Sequence, residues 1–160
     1  MARRYRALHE RKGLAAFTLV ESLPILAVVG LVIAVAIPTM QSKQASLKSA
    51  QAVEDIARID RLIERYRAAN EMRLPAALSE LGMHIPHDPW GQPYVYRPVE
   101  AGAVVTDLRK DRNGIPLNSD YDLYSLGSDG MTSASLQSPL ALDDVVRAGN
   151  GGFIGPTREY

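Results

Sequence analysis

The 160-residue sequence contains no cysteine and only three histidines. The absence of cysteine excludes disulfide bonds, thiolate metal sites and cysteine nucleophiles. The sequence also lacks a Gly-rich phosphate-binding loop and a Gly-x-Ser-x-Gly nucleophile motif. We therefore expect that the protein is not an enzyme, and that its small domain is stabilised by packing, by a metal or by neighbouring subunits.

Two of the histidines, His84 and His87, lie close together in a Pro-rich stretch and are followed by Asp88. Histidines three residues apart ligate a metal when a helix aligns them and a third ligand lies at a useful spacing. This stretch provides neither condition. We interpret all three side chains as ordinary loop residues.

Charge is distributed unevenly, although the whole chain is formally neutral, with 18 basic and 18 acidic side chains. Residues 1–16 carry five basic side chains and one acid, which leaves a formal charge of −4 on residues 17–160. A protein that binds nucleic acid needs a basic face to neutralise phosphates. We therefore expect no nucleic-acid partner.

Residues 17–38 form a 22-residue apolar run in which Glu21 is the single charged residue. As a helix this run is ~33 Å long, enough to cross the hydrocarbon core of a bilayer. The basic residues before it predict a cytoplasmic N-terminus and a C-terminal part on the other side of the membrane. A carboxylate at bilayer depth costs about 2.5–3.5 kcal/mol, so Glu21 is expected to have a partner.

The helical pattern continues beyond the apolar run. Apolar residues recur at steps of three and four and form one stripe, namely Ala52, Val53, Ile56, Ile59, Ile63 and Tyr66. The pattern predicts one helix of about fifty residues that ends near Asn70, with bends at Pro24 and Pro38. A short second helix is predicted over residues 75–82, between a proline and a glycine.

The C-terminal half has strand and turn signals. Residues 94–96 follow a Pro- and Gly-rich turn and predict a strand, and residues 120–126 predict a second strand that pairs with it. Trp90 is predicted to anchor the loop before the first strand to the helix stripe. The Gly-rich tail, residues 147–160, is expected to be partly irregular, with Phe153 and Ile154 docking on the domain. The predicted fold class is α+β, with a long N-terminal helix packed against a small antiparallel β-sheet.

The string AFTLVE after a basic leader, with Pro38 ending the apolar run, resembles the N-terminus of type IV prepilin-like proteins. The resemblance implies that a prepilin peptidase cleaves between Ala16 and Phe17 and that the new Phe17 amine is methylated. Glu21 then becomes the fifth mature residue. The family places Gly before the cut, whereas this chain has Ala16. The implied domains are a cleaved leader (1–16), a transmembrane and filament-core helix (17–38) and a periplasmic pilin-like domain (39–160).

Two further motifs narrow the resemblance. AFTLVE, DPWGQPYVYR and YDLYSLGSDG follow one another in the order found in the major pseudopilin of the type II secretion system, the general secretion pathway protein G family. The segment between the last two motifs, residues 101–120, is longer than that family's pattern. The resemblance implies a pilin-like fold and a structural subunit of a periplasmic pseudopilus that drives protein export.

The implied partners are copies of the chain in a helical filament, minor pseudopilins, the inner-membrane assembly platform and the prepilin peptidase. The implied location is the bacterial inner membrane, crossed once, and then the periplasmic filament. A type IV pilin or minor pilin, serving adhesion, motility or DNA uptake, is the alternative. Many such pilins close a C-terminal loop with a disulfide, so the lack of cysteine favours the pseudopilin. A membrane-anchored periplasmic enzyme is a third class.

The same resemblance implies a calcium ion where SLGSDG meets a later acidic turn. Its carboxylate ligands would be Asp129 and either Asp143 or Asp144, and Leu126 and Met131 would offer backbone carbonyls. Calcium takes about six to eight oxygen ligands of this mixed kind. A bound ion would order a long loop that has no disulfide, since its binding energy adds to the folding energy.

Overall fold

The computed structural model describes residues 19–99 and 108–160. Its fold is α+β. One long helix, α1 (Leu19–Ala69), precedes four strands: β1 (Val95–Pro98), β2 (Tyr121–Ser125), β3 (Val145–Ala148) and β4 (Phe153–Pro156). Short 3₁₀ helices cover Leu78–Leu81, Pro139–Ala141, Gly149–Gly151 and Thr157–Glu159. The chain divides into two units, the first ending at Gln41 and the second running from Ser42 to Tyr160.

Within the second unit, α1 buries the apolar stripe that its sequence predicts. Ala52, Ile56, Ile59 and Ile63 are at most 2% exposed and form the centre of a core cluster with the sheet. The helix ends at Ala69, close to the predicted end, and the Asn70 side chain donates to a carbonyl of the last turn. The predicted packing of the helix against a small antiparallel sheet is confirmed.

The four strands form one antiparallel sheet in the order β1-β2-β3-β4, so each strand pairs with the next along the chain. The predicted pairing of the first two strands is confirmed, with Tyr96 opposite Leu123. On β2, Tyr121 and Leu123 pack on the helix side, whereas Tyr124 belongs to a second apolar cluster on the other face.

The second cluster covers the face of the sheet that points away from α1. Leu117 and Leu136, from two different loops, are 4% exposed and pack on Tyr124, Val146 and Ala148. The two loops are joined because Lys110 forms bridges with both Pro116 and Ser135. Loops therefore supply a second layer of cover. For this reason all five residues of β2 are buried, although one free face is common in antiparallel sheets.

The helix predicted over residues 75–82 is wrong in extent, because only Leu78–Leu81 form a 3₁₀ helix. Ala77 before it has extended backbone angles, and the carbonyl of the buried Pro75 accepts a hydrogen bond from the Tyr96 hydroxyl. The segment before Leu78 thus serves the packing against β1 instead of continuing a helix. Gly82 ends the element in a left-handed conformation, as the stop signal predicted.

The expectation of a partly irregular tail is also corrected. Residues 145–156 form the β3–β4 hairpin, with Arg147 opposite Ile154. Gly149 and Gly151 adopt positive φ in the connection, as does Asn150 between them. A Gly-rich sequence here marks a tight turn within a hairpin, since glycine adopts positive φ without a steric penalty.

Candidate assembly helix and ion-binding loop

The first candidate feature is the apolar surface of α1. Among the described residues, twelve large apolar side chains between positions 20 and 47 are 48–77% exposed. They are Val20, Leu23, Ile25, Leu26, Val28, Val29, Leu31, Val32, Ile33, Ile37, Met40 and Leu47. Neighbouring positions such as 31, 32 and 33 point in different directions around a helix, so the apolar surface surrounds it. A helix that is apolar all round is normally buried by something else.

The described residues, 19–99 and 108–160, contain no helix that meets the length and hydropathy expected of a membrane span. The predicted cleavage pair, Ala16 and Phe17, lies outside these residues, and so does the side chain of Glu21.

The second feature is the loop between β2 and β3, where the resemblance implies calcium. The structure brings Asp129 and Asp143 to the same turn, residues 127–130. One oxygen of Asp143, Oδ2, accepts hydrogen bonds from the Ser128 amide and hydroxyl, both at 2.7 Å, and from the Asp129 amide at 3.2 Å. The Asp129 carboxylate accepts from the Met131 amide at 2.8 Å. Leu126 and Met131, the predicted carbonyl ligands, flank this turn.

Asp144, the alternative predicted ligand, has a different set of partners. Its side chain is fully buried, and its Oδ2 lies 2.6 Å from a guanidinium nitrogen of Arg109. The Thr132 hydroxyl donates to the same oxygen at 2.6 Å. Burial raises the pKa of Asp144, while the charge of Arg109 and the hydrogen bonds from Thr132 and Arg109 act to lower it. The structure therefore separates the roles of the neighbouring Asp143 and Asp144.

These contacts fit a calcium site poorly. The described part of the chain has no group of three or more His, Cys, Asp or Glu side chains placed to hold a metal. Asp129 and Asp143 each already accept from N–H groups, whose positive ends point toward the oxygens that would bind a cation. Asp144 already has a guanidinium beside it. Calcium at this loop stays what the resemblance implies, and the present partners of Asp129, Asp143 and Asp144 do not favour it.

Sequence reasoning missed the role of Asp88. This side chain is buried and holds the start of the DPWGQP turn, because its Oδ1 accepts from the amides of Trp90 and Gln92. Its Oδ2 accepts from the hydroxyl of Ser125, which in turn accepts from the Gly127 amide. The Asp-Pro-x-Gly pattern is a known turn signal and indicated the local part of this role. The link to Ser125 needed the tertiary structure.

The fold and these two features define a class: an α+β protein whose long helix carries an uncovered apolar surface. Comparisons of the chain with protein-family models, with curated proteins and with solved structures found no match.

Proposed function

We propose that the chain is a pilin-like structural subunit, and specifically a subunit of a periplasmic pseudopilus that drives export through a type II secretion system. The observation that carries the proposal is the apolar surface of α1, exposed on all sides. The second unit, Ser42–Tyr160, is the domain that the filament would display.

The free energy of leaving this surface in water supports an assembly role. Burying one large aliphatic side chain is worth about 1.5–3 kcal/mol relative to leaving it exposed. Among the described side chains of α1, twelve large apolar ones are exposed, namely eleven aliphatic side chains and Met40. Two environments would cover them: the lipid bilayer before assembly, and the same helix of neighbouring copies afterwards. The apolar run in the sequence and the basic residues before it favour this sequence of events.

Glu21 favours transfer of the helix from the bilayer to the filament over permanent anchoring of the helix in the membrane. In lipid its carboxylate is costly. In a filament it would pair with the Phe17 amine of a neighbouring subunit, which exists only after cleavage between Ala16 and Phe17. Assembly is then favoured because it supplies the missing charge partner.

The alternative, a type IV pilin or minor pilin, shares the helix and differs in what the displayed domain does. The motifs DPWGQPYVYR and YDLYSLGSDG and the absence of cysteine favour the pseudopilin. No nucleic-acid role is proposed, since residues 17–160 carry a formal charge of −4. The proposed partners are further copies, minor pseudopilins, the inner-membrane assembly platform and the prepilin peptidase.

The test is to express the chain with a type II secretion apparatus and to image filaments by electron microscopy. Glu21→Ala should still enter the membrane fraction but yield few filaments, because breaking a buried charge pair costs about 3–5 kcal/mol. Glu54→Ala, which removes an exposed carboxylate on the same helix, is the matched control and should assemble normally. Normal filament yield from Glu21→Ala would refute the pairing. Absence of filaments from the parent chain would refute the proposed function.

A further inference from the structure

The loop between β2 and β3 raises a physical question, because it is long and has no disulfide to hold it. Ordering each of its residues costs backbone entropy of about 1–2 kcal/mol. The resemblance implies that calcium offsets this cost. The described contacts identify a different source, which lies in the chain itself.

The central contact is a buried ion pair between Arg109 and Asp144. The two side chains are 3% and 0% exposed, and a guanidinium nitrogen lies 2.6 Å from Asp144 Oδ2. Thr132, which belongs to the loop, bridges the pair. Its hydroxyl donates to Asp144 at 2.6 Å and accepts from Arg109 Nη1 at 2.5 Å. The guanidinium also stacks on Tyr124, 4.4 Å from the ring centre.

Arg109 is held in place by its own backbone. Its amide donates to the Asp122 carboxylate at 2.7 Å, and its carbonyl accepts from the Leu117 amide at 2.8 Å. The next residue, Lys110, pairs with the loop itself: its amide donates to the Ala134 carbonyl at 2.7 Å. Arg109 lies in residues 108–120, the described part of the segment that is longer than the resembled family's pattern, and this part places a fixed positive charge beside Asp144.

Asp143 is satisfied without an ion as well. It accepts from Ser128 and Asp129, as described above. The backbone of Asp143 also lies close to the turn, because a methyl group built on Gly127 would lie 2.5 Å from the Asp143 carbonyl oxygen.

We propose that the Arg109 guanidinium replaces a bound cation in this loop, and that the loop is ordered without calcium. Arg109 neutralises Asp144, Thr132 joins that pair to the loop, and the turn amides bind Asp143. Within the described residues, Asp144 Oδ1 and Arg109 Nε have no hydrogen-bond partner, so the pair is joined through one carboxylate oxygen. The inference concerns the folded domain and does not depend on what the chain assembles with.

The first test uses the full wild-type chain in detergent, stripped with chelator and then given calcium chloride. The thermal midpoint should stay unchanged, and hydrogen exchange at the amides of Ser128, Asp129 and Met131 should be as slow with chelator as with calcium. A midpoint that rises by about 2 °C or more with calcium, or loop protection that appears only with calcium, would overturn the proposal.

The second test removes the charge of Arg109 and keeps its apolar stem. Arg109→Met should lower the midpoint by about 10 °C, because it leaves Asp144 buried without its cation. Arg112→Met, at an exposed arginine of the same segment, should change it little. The double variant Arg109→Met/Asp144→Leu should recover part of the loss, because it buries no unpaired charge. Equal effects of Arg109→Met and Arg112→Met on the midpoint would overturn the proposal. If Arg109→Met does not fold, the hydrogen-exchange measurement on the wild type still tests the proposal.

Discussion

At the scale of single residues, buried arginine–carboxylate pairs link segments that are far apart in the sequence. Disulfides have this role in many small secreted domains. Arg147, on β3, is 2% exposed in its side chain and bonds two carboxylates: Asp60 on α1 at 2.5 Å and Asp120 before β2 at 2.8 Å. Its guanidinium also lies 3.9 Å from the ring centre of Tyr121. One side chain therefore joins the long helix to two strands.

Replacement of Arg147 tests this role. Arg147→Met should lower the free energy of unfolding by about 3–5 kcal/mol, because Asp60 and Asp120 would remain partly buried without their cation. Arg158→Met is the matched control, since Arg158 is 64% exposed and lies 4.0 Å from Glu159. Its expected effect is within about 0.5 kcal/mol. Chemical denaturation measures both, and equal midpoints for the two variants would contradict the role.

The lowered pKa of Asp120 predicts how the stability of the domain depends on pH. Burial acts to raise its pKa, but hydrogen bonds from Arg147 and from the Tyr121 amide, with the charge of Arg147, hold it below the ordinary value. A lowered pKa contributes stability above the unfolded pKa of about 3.9, and this contribution is lost as the pH falls through the folded pKa. Asp122 and Asp144 act oppositely, because burial raises their pKa.

The test therefore compares the pH dependence of unfolding in the wild type and in a variant that lacks the Asp120 carboxylate. We expect the free energy of unfolding to fall below about pH 4 in the wild type, and to fall less steeply in Asp120→Asn. Parallel pH profiles of the two proteins would show that the pKa of Asp120 is not lowered in the folded state.

At the scale of elements, the helix and the sheet are joined by polar as well as apolar contacts. The hydroxyls of Tyr94 and Tyr121 donate to Asp55 and Asp60 on α1, at 3.0 and 2.7 Å. Burial and the neighbouring carboxylate raise the pKa of both tyrosines, so both hydroxyls stay protonated and keep donating. These bonds fix the position of the sheet along a helix whose apolar stripe alone would tolerate sliding.

The turn after β2 leaves little room for a methyl group on Gly127. Gly127 has φ +67°, and an added Cβ would lie 2.5 Å from the Asp143 carbonyl oxygen. Gly114 has a similar φ of +78°, with nothing within 4 Å of the same added atom. Both alanine variants should lose about 1 kcal/mol from the positive φ. Gly127→Ala should lose distinctly more, so its thermal midpoint should be the lower of the two. Equal midpoints would show that the turn relaxes freely.

At the scale of the whole molecule, the two units differ in how far they bury their apolar side chains. The second unit has two buried apolar clusters, one on each face of the sheet, although single apolar side chains such as Leu47 remain exposed. The described part of the first unit leaves its large apolar side chains exposed. We propose that lipid or other copies of the chain cover this surface, and the proposed function is therefore an assembly.

Processing at the N-terminus is the whole-molecule prediction. Mass spectrometry of the membrane form should show a mature N-terminal Phe17 that carries a methyl group. Because Ala16 stands where the resembled family has Gly, Ala16→Gly should be cleaved at least as fast as the parent chain. An intact leader in assembled filaments, or slower cleavage of Ala16→Gly, would contradict the proposed cut between Ala16 and Phe17.

The sequence by itself determined the elements that depend on local pattern. The stripe from Ala52 to Ile63 predicted which face of α1 is buried, since apolar residues three and four apart share one side of a helix. Turn residues before Tyr94 and the apolar residues of β2 predicted the first pair of strands.

Only the tertiary structure decided which charged residues form ion pairs with each other. Arg109 and Asp144 are 35 positions apart, and Arg147 and Asp60 are 87 apart. No local spacing marks such pairs, because an arginine with a surface role and one with a buried role have the same chemistry and differ only in what folds over them. The assignment of Asp143 to the turn and of its neighbour Asp144 to Arg109 has the same cause. Successive side chains entering a strand point to opposite sides, and each side meets a different part of the chain.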